Sequence, residues 1–249
     1  MKIKDKVRSA ILSRTTEKIN QKIGIELETI IHTNNYNRLP VDEKGTFSSV
    51  DLLRLLNDEQ DDNGSYSLEP GGQLEWASPP FVDLNDLQSS LELFYNHLDL
   101  LLSSKKLTLI NYALDPKFSP DEVGLINEKK YQLMDEYMTQ SGSMGRWMMR
   151  NTASIQINLD TTDSENMEVI TFISDCINPI ASYLFANSPF KQLNPTGVEN
   201  VRQLIWNDTD QFRCGNLFDH GIYSSDGLID QYIDYIMNCL LYTSDAADE

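Results

Sequence analysis

The run Ser67-Leu68-Glu69-Pro70-Gly71-Gly72-Gln73-Leu74-Glu75 sets two carboxylates and an amide around a Pro-Gly-Gly bend inside an otherwise strand-like stretch. In each arm polar and apolar residues alternate, and because successive side chains of a strand point to opposite faces, the carboxylates and the amide share one face. Pro-Gly-Gly inside a strand is unfavourable unless a bulge or a close backbone approach requires it. Glu69 and Glu75 are an even number of residues apart, so the spacing predicts that both lie on that face.

Two further segments repeat the pattern. In Lys22-Ile23-Gly24-Ile25-Glu26-Leu27-Glu28-Thr29-Ile30, Ile23, Ile25 and Leu27 take one face while Glu26 and Glu28 take the other. In Ser154-Ile155-Gln156-Ile157-Asn158-Leu159-Asp160, Gln156 and Asn158 stand opposite Ile155, Ile157 and Leu159. If these oxygen-bearing faces line one concave site, unpaired carboxylates there repel one another and lose hydration, a conflict that a divalent cation removes. All-oxygen ligation without nearby His or Cys suits Mg²⁺ or Mn²⁺ rather than zinc. An alternating strand with Glu on one side also reads as a half-exposed sheet with a solvated face, and both readings stand for Glu26 and Glu28.

A longer set of motifs in order resembles the plant-type branch of the glutamate-cysteine ligases. These are Gly24-x-Glu26-x-Glu28, the Ser67–Glu75 run, Met148-Met149 leading into Gln156-x-Asn158-Leu159-Asp160, Phe185-Ala186-Asn187-Ser188-Pro189-Phe190, and Arg202-x-x-x-Trp206-x-Asp208-x-Asp210-x-x-Arg213. The likeness runs from about Lys22 to about Met237 and covers the first half or somewhat more of a typical member. It implies ATP-dependent coupling of the side-chain carboxylate of L-glutamate to L-cysteine through a γ-glutamyl phosphate, the first step of glutathione synthesis. It also implies a glutamine-synthetase-like, curved, mainly antiparallel sheet. By position in the motifs, Glu26, Glu28, Glu69 and Glu75 are metal candidates for Mg²⁺ or Mn²⁺; Glu69, Glu75 and Arg213 are catalytic candidates; Gln156 and Asn158 fall to the cofactor, with ATP as co-substrate. Arg202 and Trp206 fall to glutamate, since a guanidinium grips a carboxylate in two places and an indole can wall an aliphatic stem. Without the motif, Arg202 reads as a surface ion-pair residue and Trp206 as a core aromatic. The family carries an arginine immediately before the threonine that aligns with Thr152, whereas here that place is Asn151 and the arginine is Arg150. Asn151 and Thr152 thus stand at the substrate-binding position, and the role is withheld from Arg150, because a shift of one residue on a strand turns a side chain to the other face. A ligase using another amine, or a metal- or nucleotide-binding fragment without turnover, are the alternative readings.

The segment Cys239–Glu249 reads as the translation of a sequencing-library adapter, which leaves 1–238 as the N-terminal part of a single ligase domain; an ordinary acidic terminus is the alternative. The formal net charge is -18, part of it from Asp245, Asp248 and Glu249, and acidity of this order repels phosphate backbones, so nucleic acid is not an expected partner. Cys176, Cys214 and Cys239 do not make a spaced framework; Cys176 sits in an apolar helical pattern as a core thiol. No apolar run is long enough for a membrane span and no secretory h-region is present, so the expected setting is cytoplasmic.

The remaining pattern is α+β, with helices on one face of a sheet. Helices are expected over 4–20, near Val50–Leu56, from an Asp83 N-cap through the stripe Leu84, Leu87, Leu91, Phe94, Leu98, Leu101, and around Glu128–Met138. Beyond Ser164, Met167, Ile170, Ile173, Ile177, Ile180 and Leu184 mark one helical face, which Pro179 is expected to kink or divide. A strand is expected over Leu107–Leu114, and Asp58–Ser65 reads as a solvated charged loop. Turn signals for hairpins between the strands are not evident, which argues against a sandwich or meander.

Overall fold

A computed structural model describes residues 3–58, 64–141, 144–210 and 214–238. Most of the charged loop at Asp58–Ser65, the Gly-Ser link at Gly142-Ser143, Arg213 and the segment from Cys239 onward lie outside the described residues. In chain order the elements are α1 (Ile3–Leu12), β1 (Ile23–Thr33), α2 (Ser49–Asp58), β2 (Ser65–Leu68), β3 (Leu74–Ala77), α3 (Leu84–Lys105) and β4 (Leu107–Ile110). They continue with α4 (Lys129–Ser141), α5 (Gly145–Asn151), β5 (Ile155–Leu159), α6 (Ser164–Leu184), β6 (Phe190–Lys191), β7 (Asn194–Pro195), α7 (Val201–Asn207) and α8 (Leu228–Asn238). The fold is α+β with a mainly antiparallel sheet, in the order β2-β3-β1-β4, with β5 also paired to β1.

The chain falls into two compact units, one of Lys22–Asn158 and Phe185–Asp210, the other of Met1–Gln21, Leu159–Leu184 and Gln211–Glu249. The first holds the sheet. Strand β1 is its centre: Leu27 lies opposite Trp76 and Glu28 opposite Glu75 of β3, while Ile30 to Thr33 pair with Ile110 to Leu107 of β4. Ile25, Leu27, Tyr66, Leu74 and Trp76 turn to one face and are buried with Leu52 and Leu56 of α2 and Phe94 and Leu98 of α3. The Trp76 and Phe94 rings stack there at 4.5 Å between centroids. Burying apolar area of this kind is the main stabilising term of the unit. The opposite face of the same strands carries Glu28, Ser67 and Glu75 in register, so hydrophobic alternation fixes which side the carboxylates occupy.

Helix α3 follows its sequence pattern closely. Asp83 accepts from the Asn85 amide at 2.7 Å as N-cap, and Leu87, Phe94, Leu98 and Leu101 are buried. Leu84, at the first turn, is exposed.

Several boundaries differ from the sequence expectation. The helix expected over 4–20 ends at Leu12, where the Ser13 hydroxyl turns back to the Ala10 carbonyl and β-branched Thr15 and Thr16 follow. The strand expected to reach Leu114 stops at Ile110, and Leu114 instead bridges Thr152 and packs with Val201 and Ile205 in a separate cluster. Arms β2 and β3 form a hairpin, which the sequence reading did not anticipate. The Gly72 amide donates to the Glu69 carbonyl at 2.7 Å, the Glu69 amide donates to the Gln73 carbonyl at 2.9 Å, and Gly72 has φ +75°. Pro70 presets the entry to the turn and Gly72 supplies the left-handed backbone that closes it, so Pro-Gly-Gly is turn chemistry rather than a strand defect.

In the second unit α6 runs unbroken through Pro179, so the proline does not divide the helix. Phe172 packs against Leu217, Ile222 and Leu228, and Glu168 accepts from the Ile229 amide at 3.1 Å. Lys4 and Arg8 of α1 pair with Asp234 and Asp230 of α8. Cys176, expected in the core, is exposed, as are Ile173, Ile177 and Ile180 of the same helix. None of the described helices is long and apolar enough to cross a membrane.

Candidate active site

The polar face of the sheet brings together Glu28 from β1, Glu75 from β3 and Glu69 from the hairpin loop, each with a carboxylate oxygen within 4.8 Å of the others. Two of them are placed by strand register, since Glu28 and Glu75 are directly opposed. Glu69 is one residue beyond Leu68, the last paired residue of β2, and is placed by the turn. Directly opposed like charges destabilise a sheet unless something compensates. Ser67 Oγ donates to Glu75 Oε1 at 2.7 Å, and Ser154 Oγ and Gln156 Nε2 both donate to Glu28 Oε1, at 2.9 and 3.0 Å.

These bonds do not relieve the cluster fully. Burial raises the pKa of Glu28; the Ser154 bond and the Arg202 charge work against that shift, and the Glu75 charge adds to it. Glu69 is pushed from 4.5 to about 7, first by burial and then by the charges of Glu28 and Glu75 and a shared hydrogen bond with Glu75. Three half-buried carboxylates with one holding its proton near neutrality form a site that is short of positive charge. The donor set fits a hard divalent cation: it is all oxygen, and a cation among the three would remove the repulsion that holds the Glu69 proton.

Glu26 is on the same face but outside this trio. Register sets it opposite Ala77, and its Oε1 accepts from Asn158 Nδ2 at 2.8 Å. Gln156 and Asn158 of β5 thus reach Glu28 and Glu26 respectively, joining the strands whose polar faces the sequence set apart.

Arg202 and Trp206 lie on α7, one turn apart, with the guanidinium 5.6 Å from the indole centroid. The helix begins where the Phe185–Phe190 motif meets it: Ser188 Oγ accepts from the Arg202 amide at 3.0 Å, and Asn200 accepts from the Gln203 amide as N-cap. Burial lowers the Arg202 pKa while the Glu28 charge opposes that shift, so the cation lies within electrostatic reach of the trio. Arg202 Nε and Trp206 Nε1 are buried and lack hydrogen-bond partners among the described residues. A buried guanidinium with an unsatisfied N–H beside an indole is equipped to take a carboxylate.

The other candidates have internal engagements. Asn151 is fully buried and its Nδ2 donates to the Phe118 carbonyl at 2.9 Å; the Thr152 hydroxyl donates to the Met148 carbonyl at 2.7 Å. Arg150, on helix α5 rather than a strand, pairs with Asp135 at 2.6 Å and donates to the carbonyls of Pro120 and Val123. Arg146 pairs with Asp121 and Asp135, and the neighbouring Trp147 lies under the Lys191 ammonium at 4.2 Å. Arg213 is outside the described residues.

Sequence reasoning missed a buried group behind the hairpin loop. Asp115 is held at about 2: the His32 hydrogen bond and the Arg38 charge outweigh the burial that would raise it. His32 Nε2 and Arg38 Nη1 donate to Asp115 Oδ2 at 2.8 and 2.9 Å, and the Lys117 and Phe118 amides donate to Oδ1. A signal was present in His32, which follows Ile30-Ile31 near the end of β1, where a buried histidine requires a partner.

Comparison with known proteins identifies the family of the chain. The family model described as glutamate-cysteine ligase family 2 matches residues 22–246, a span that runs past Cys239. Glutamate–cysteine ligase A, chloroplastic, of Oryza sativa subsp. indica is 26% identical over 228 residues, 90% of this chain and 46% of the relative. The chloroplastic glutamate–cysteine ligases of Brassica juncea and Arabidopsis thaliana are each 30% identical over 178 residues, 72% of this chain and 34% of the relative. The chain therefore spans about half or less of the length of these relatives, and the compartment in their names is not the cytoplasmic one expected above. With the family model matching most of its length, this chain belongs to glutamate-cysteine ligase family 2.

Proposed function

We propose that this chain carries the metal- and glutamate-binding part of an ATP-dependent ligase that joins the side-chain carboxylate of L-glutamate to the amine of L-cysteine, giving γ-glutamylcysteine. The observation that carries the reading is the Glu28–Glu69–Glu75 trio with the buried Arg202–Trp206 pair on the same unit, inside a chain that belongs to the glutamate-cysteine ligase family. Residues 1–238 are then the N-terminal part of one catalytic domain with a glutamine-synthetase-like sheet.

In this reading Glu28, Glu69 and Glu75 hold Mg²⁺ or Mn²⁺, with Glu26 and its Asn158 partner beside them and Gln156 fixing Glu28. The cation, when bound, neutralises charge on the phosphate oxygens of ATP. Arg202 binds the α-carboxylate of glutamate through its unsatisfied N–H, and the Trp206 ring walls the aliphatic stem. That leaves the side-chain carboxylate free to be phosphorylated by ATP, after which the cysteine amine attacks the acyl phosphate and phosphate departs. Asn151 and Thr152 are buried at the end of α5, where their side chains donate to the Phe118 and Met148 carbonyls. Such chemistry needs little from acid–base side chains and much from positioning and charge stabilisation.

The experiment is formation of γ-glutamylcysteine and ADP from glutamate, cysteine and ATP by the protein encoded over the whole reading frame that contains this chain, read by mass spectrometry. Arg202→Lys keeps the charge but loses the two-point grip, and should raise KM for glutamate about tenfold or more while leaving KM for ATP unchanged. ADP release with other amines but not with cysteine would assign the chain to a ligase of different acceptor. Metal or nucleotide binding with no product from any amine would overturn the enzymatic reading.

A further inference from the structure

Register alone does not explain how the third carboxylate of the trio is held. Glu28 and Glu75 are fixed by the β1–β3 ladder, whereas Glu69 lies beyond the last paired residue of β2, on a loop whose tip is Pro70-Gly71-Gly72. That tip is pressed against the end of α5: a Cβ on Gly71 would sit 2.3 Å from the Arg150 carbonyl oxygen and 2.6 Å from the Arg150 Cα. Two side chains clamp the same contact, Arg38 from outside the hairpin and Gln73 from the hairpin itself. Arg38, whose side chain is 6% exposed, donates from Nη1 to Asp115 at 2.9 Å and from Nη2 to the carbonyls of Gly71 at 3.1 Å and Arg150 at 3.3 Å. Gln73 is buried and donates from Nε2 to the carbonyls of Thr152 at 2.8 Å and Met149 at 3.3 Å.

We infer that Arg38, anchored by Asp115, and Gln73 are positioning residues that lock the Glu69 loop onto the end of α5 and thereby hold Glu69 at the distance from Glu28 and Glu75 that a divalent cation requires. The inference rests on the reading of the trio as a cation site. Its physical content lies in the shape of the guanidinium, a planar fork whose two terminal nitrogens bond in different directions at once. One arm is committed to a carboxylate whose other oxygen is already taken by the Lys117 and Phe118 amides, so the anchor cannot drift. The other arm ties together two backbone segments that no strand pairing joins. A lysine at 38 satisfies Asp115 but cannot bond the two carbonyls from the same place. Residues that orient metal ligands without touching the ion commonly change affinity by about 10–100-fold when removed.

The test uses the protein encoded over the whole reading frame that contains this chain, with Mn²⁺ alone as the probe. Binding is measured by calorimetry and the bound ion by electron paramagnetic resonance, for the unaltered protein, Arg38→Lys and Gln73→Met, with circular dichroism as the check on folding. The expected result is an affinity loss of about tenfold or more in each variant, with a Mn²⁺ spectrum broadened at saturation by a less regular ligand set. A residue with a merely structural role would lower the melting temperature and leave both readouts unchanged, so variants that bind Mn²⁺ within about twofold of the parent, with the same spectrum, overturn the inference. If Arg38→Lys does not fold, Gln73→Met decides by the same criteria, since it removes a neutral brace and leaves no unpaired charge. Failure of the unaltered protein to bind Mn²⁺ removes the cation site and this inference with it, whereas normal binding by both variants removes only the inference.

Discussion

Replacing Glu69 by glutamine should stabilise the metal-free protein while abolishing its response to metal, and the size of the effect follows from the geometry of the trio. Glu69 is raised from 4.5 to about 7, with burial the largest cause and the charges of Glu28 and Glu75 next. An acid with a raised pKa in the folded state binds its proton more tightly there than in the unfolded chain. Below pH about 4.5 both states are protonated and the residue costs nothing; as pH rises toward about 7 the unfolded chain ionises first, and stability falls; above about 7 the full penalty is present. The shift corresponds to at most about 3 kcal/mol, and solvent screening of a half-buried side chain brings that to about 1–2 kcal/mol. Glu69→Gln keeps the shape and removes the charge, so at pH 8 it should gain about 1–2 kcal/mol, or about 2–8 °C in Tm, and at pH 4.5 nearly nothing. Urea unfolding followed by tryptophan fluorescence at both pH values measures the difference. In the parent, Mn²⁺ at about 100 times its Kd should add about 2.7 kcal/mol, an increment the variant should lack. A Glu69→Gln protein that is less stable than the parent at pH 8, or equally stabilised by Mn²⁺, would refute the reasoning.

The same trio predicts that Mn²⁺ affinity rises about tenfold between pH 6 and pH 8, because the Glu69 proton must leave before the ion enters; an affinity independent of pH in calorimetric titrations would contradict it. Gly71→Ala brings a methyl group to 2.3 Å from the Arg150 carbonyl oxygen, against backbone that cannot rotate away. It should cost about 1–3 kcal/mol in urea unfolding and weaken Mn²⁺ binding as well, and an unchanged midpoint would show that the loop is not pressed on α5. Trp76→Ala removes the ring stacked on Phe94 at the centre of the core and should cost about 3–5 kcal/mol, read as a lowered urea midpoint.

Much of this arrangement is legible in the residues themselves. Alternation in Ile23–Thr29 divides the apolar from the acidic face, and the Asp83 cap with its leucine stripe gives the start of α3 and most of its buried face. The trio itself is harder to read. Along a single extended strand Glu69 and Glu75 would be roughly 20 Å apart at 3.3 Å per residue, so their even spacing explains the shared face and not the meeting. The hairpin makes them neighbours, through the turn-forming Pro70 and the positive φ of Gly72. Glu26 shows the converse: it shares the motif and the face, but register sets it against Ala77. The His32–Asp115–Arg38 group was hidden because Asp115 lies 83 residues from His32 and 77 from Arg38, and only the burial of His32 hints at a partner. Helix ends such as Leu12 were misplaced because local side-chain hydrogen bonds, which leave no periodicity, decide where a helix stops.

The most direct test of the account is anomalous diffraction from crystals of this protein grown with Mn²⁺. The account predicts one strong peak within about 2.5 Å of carboxylate oxygens from Glu28, Glu69 and Glu75. A trio without a peak at saturating Mn²⁺, or an ion bound only elsewhere in the chain, would contradict it.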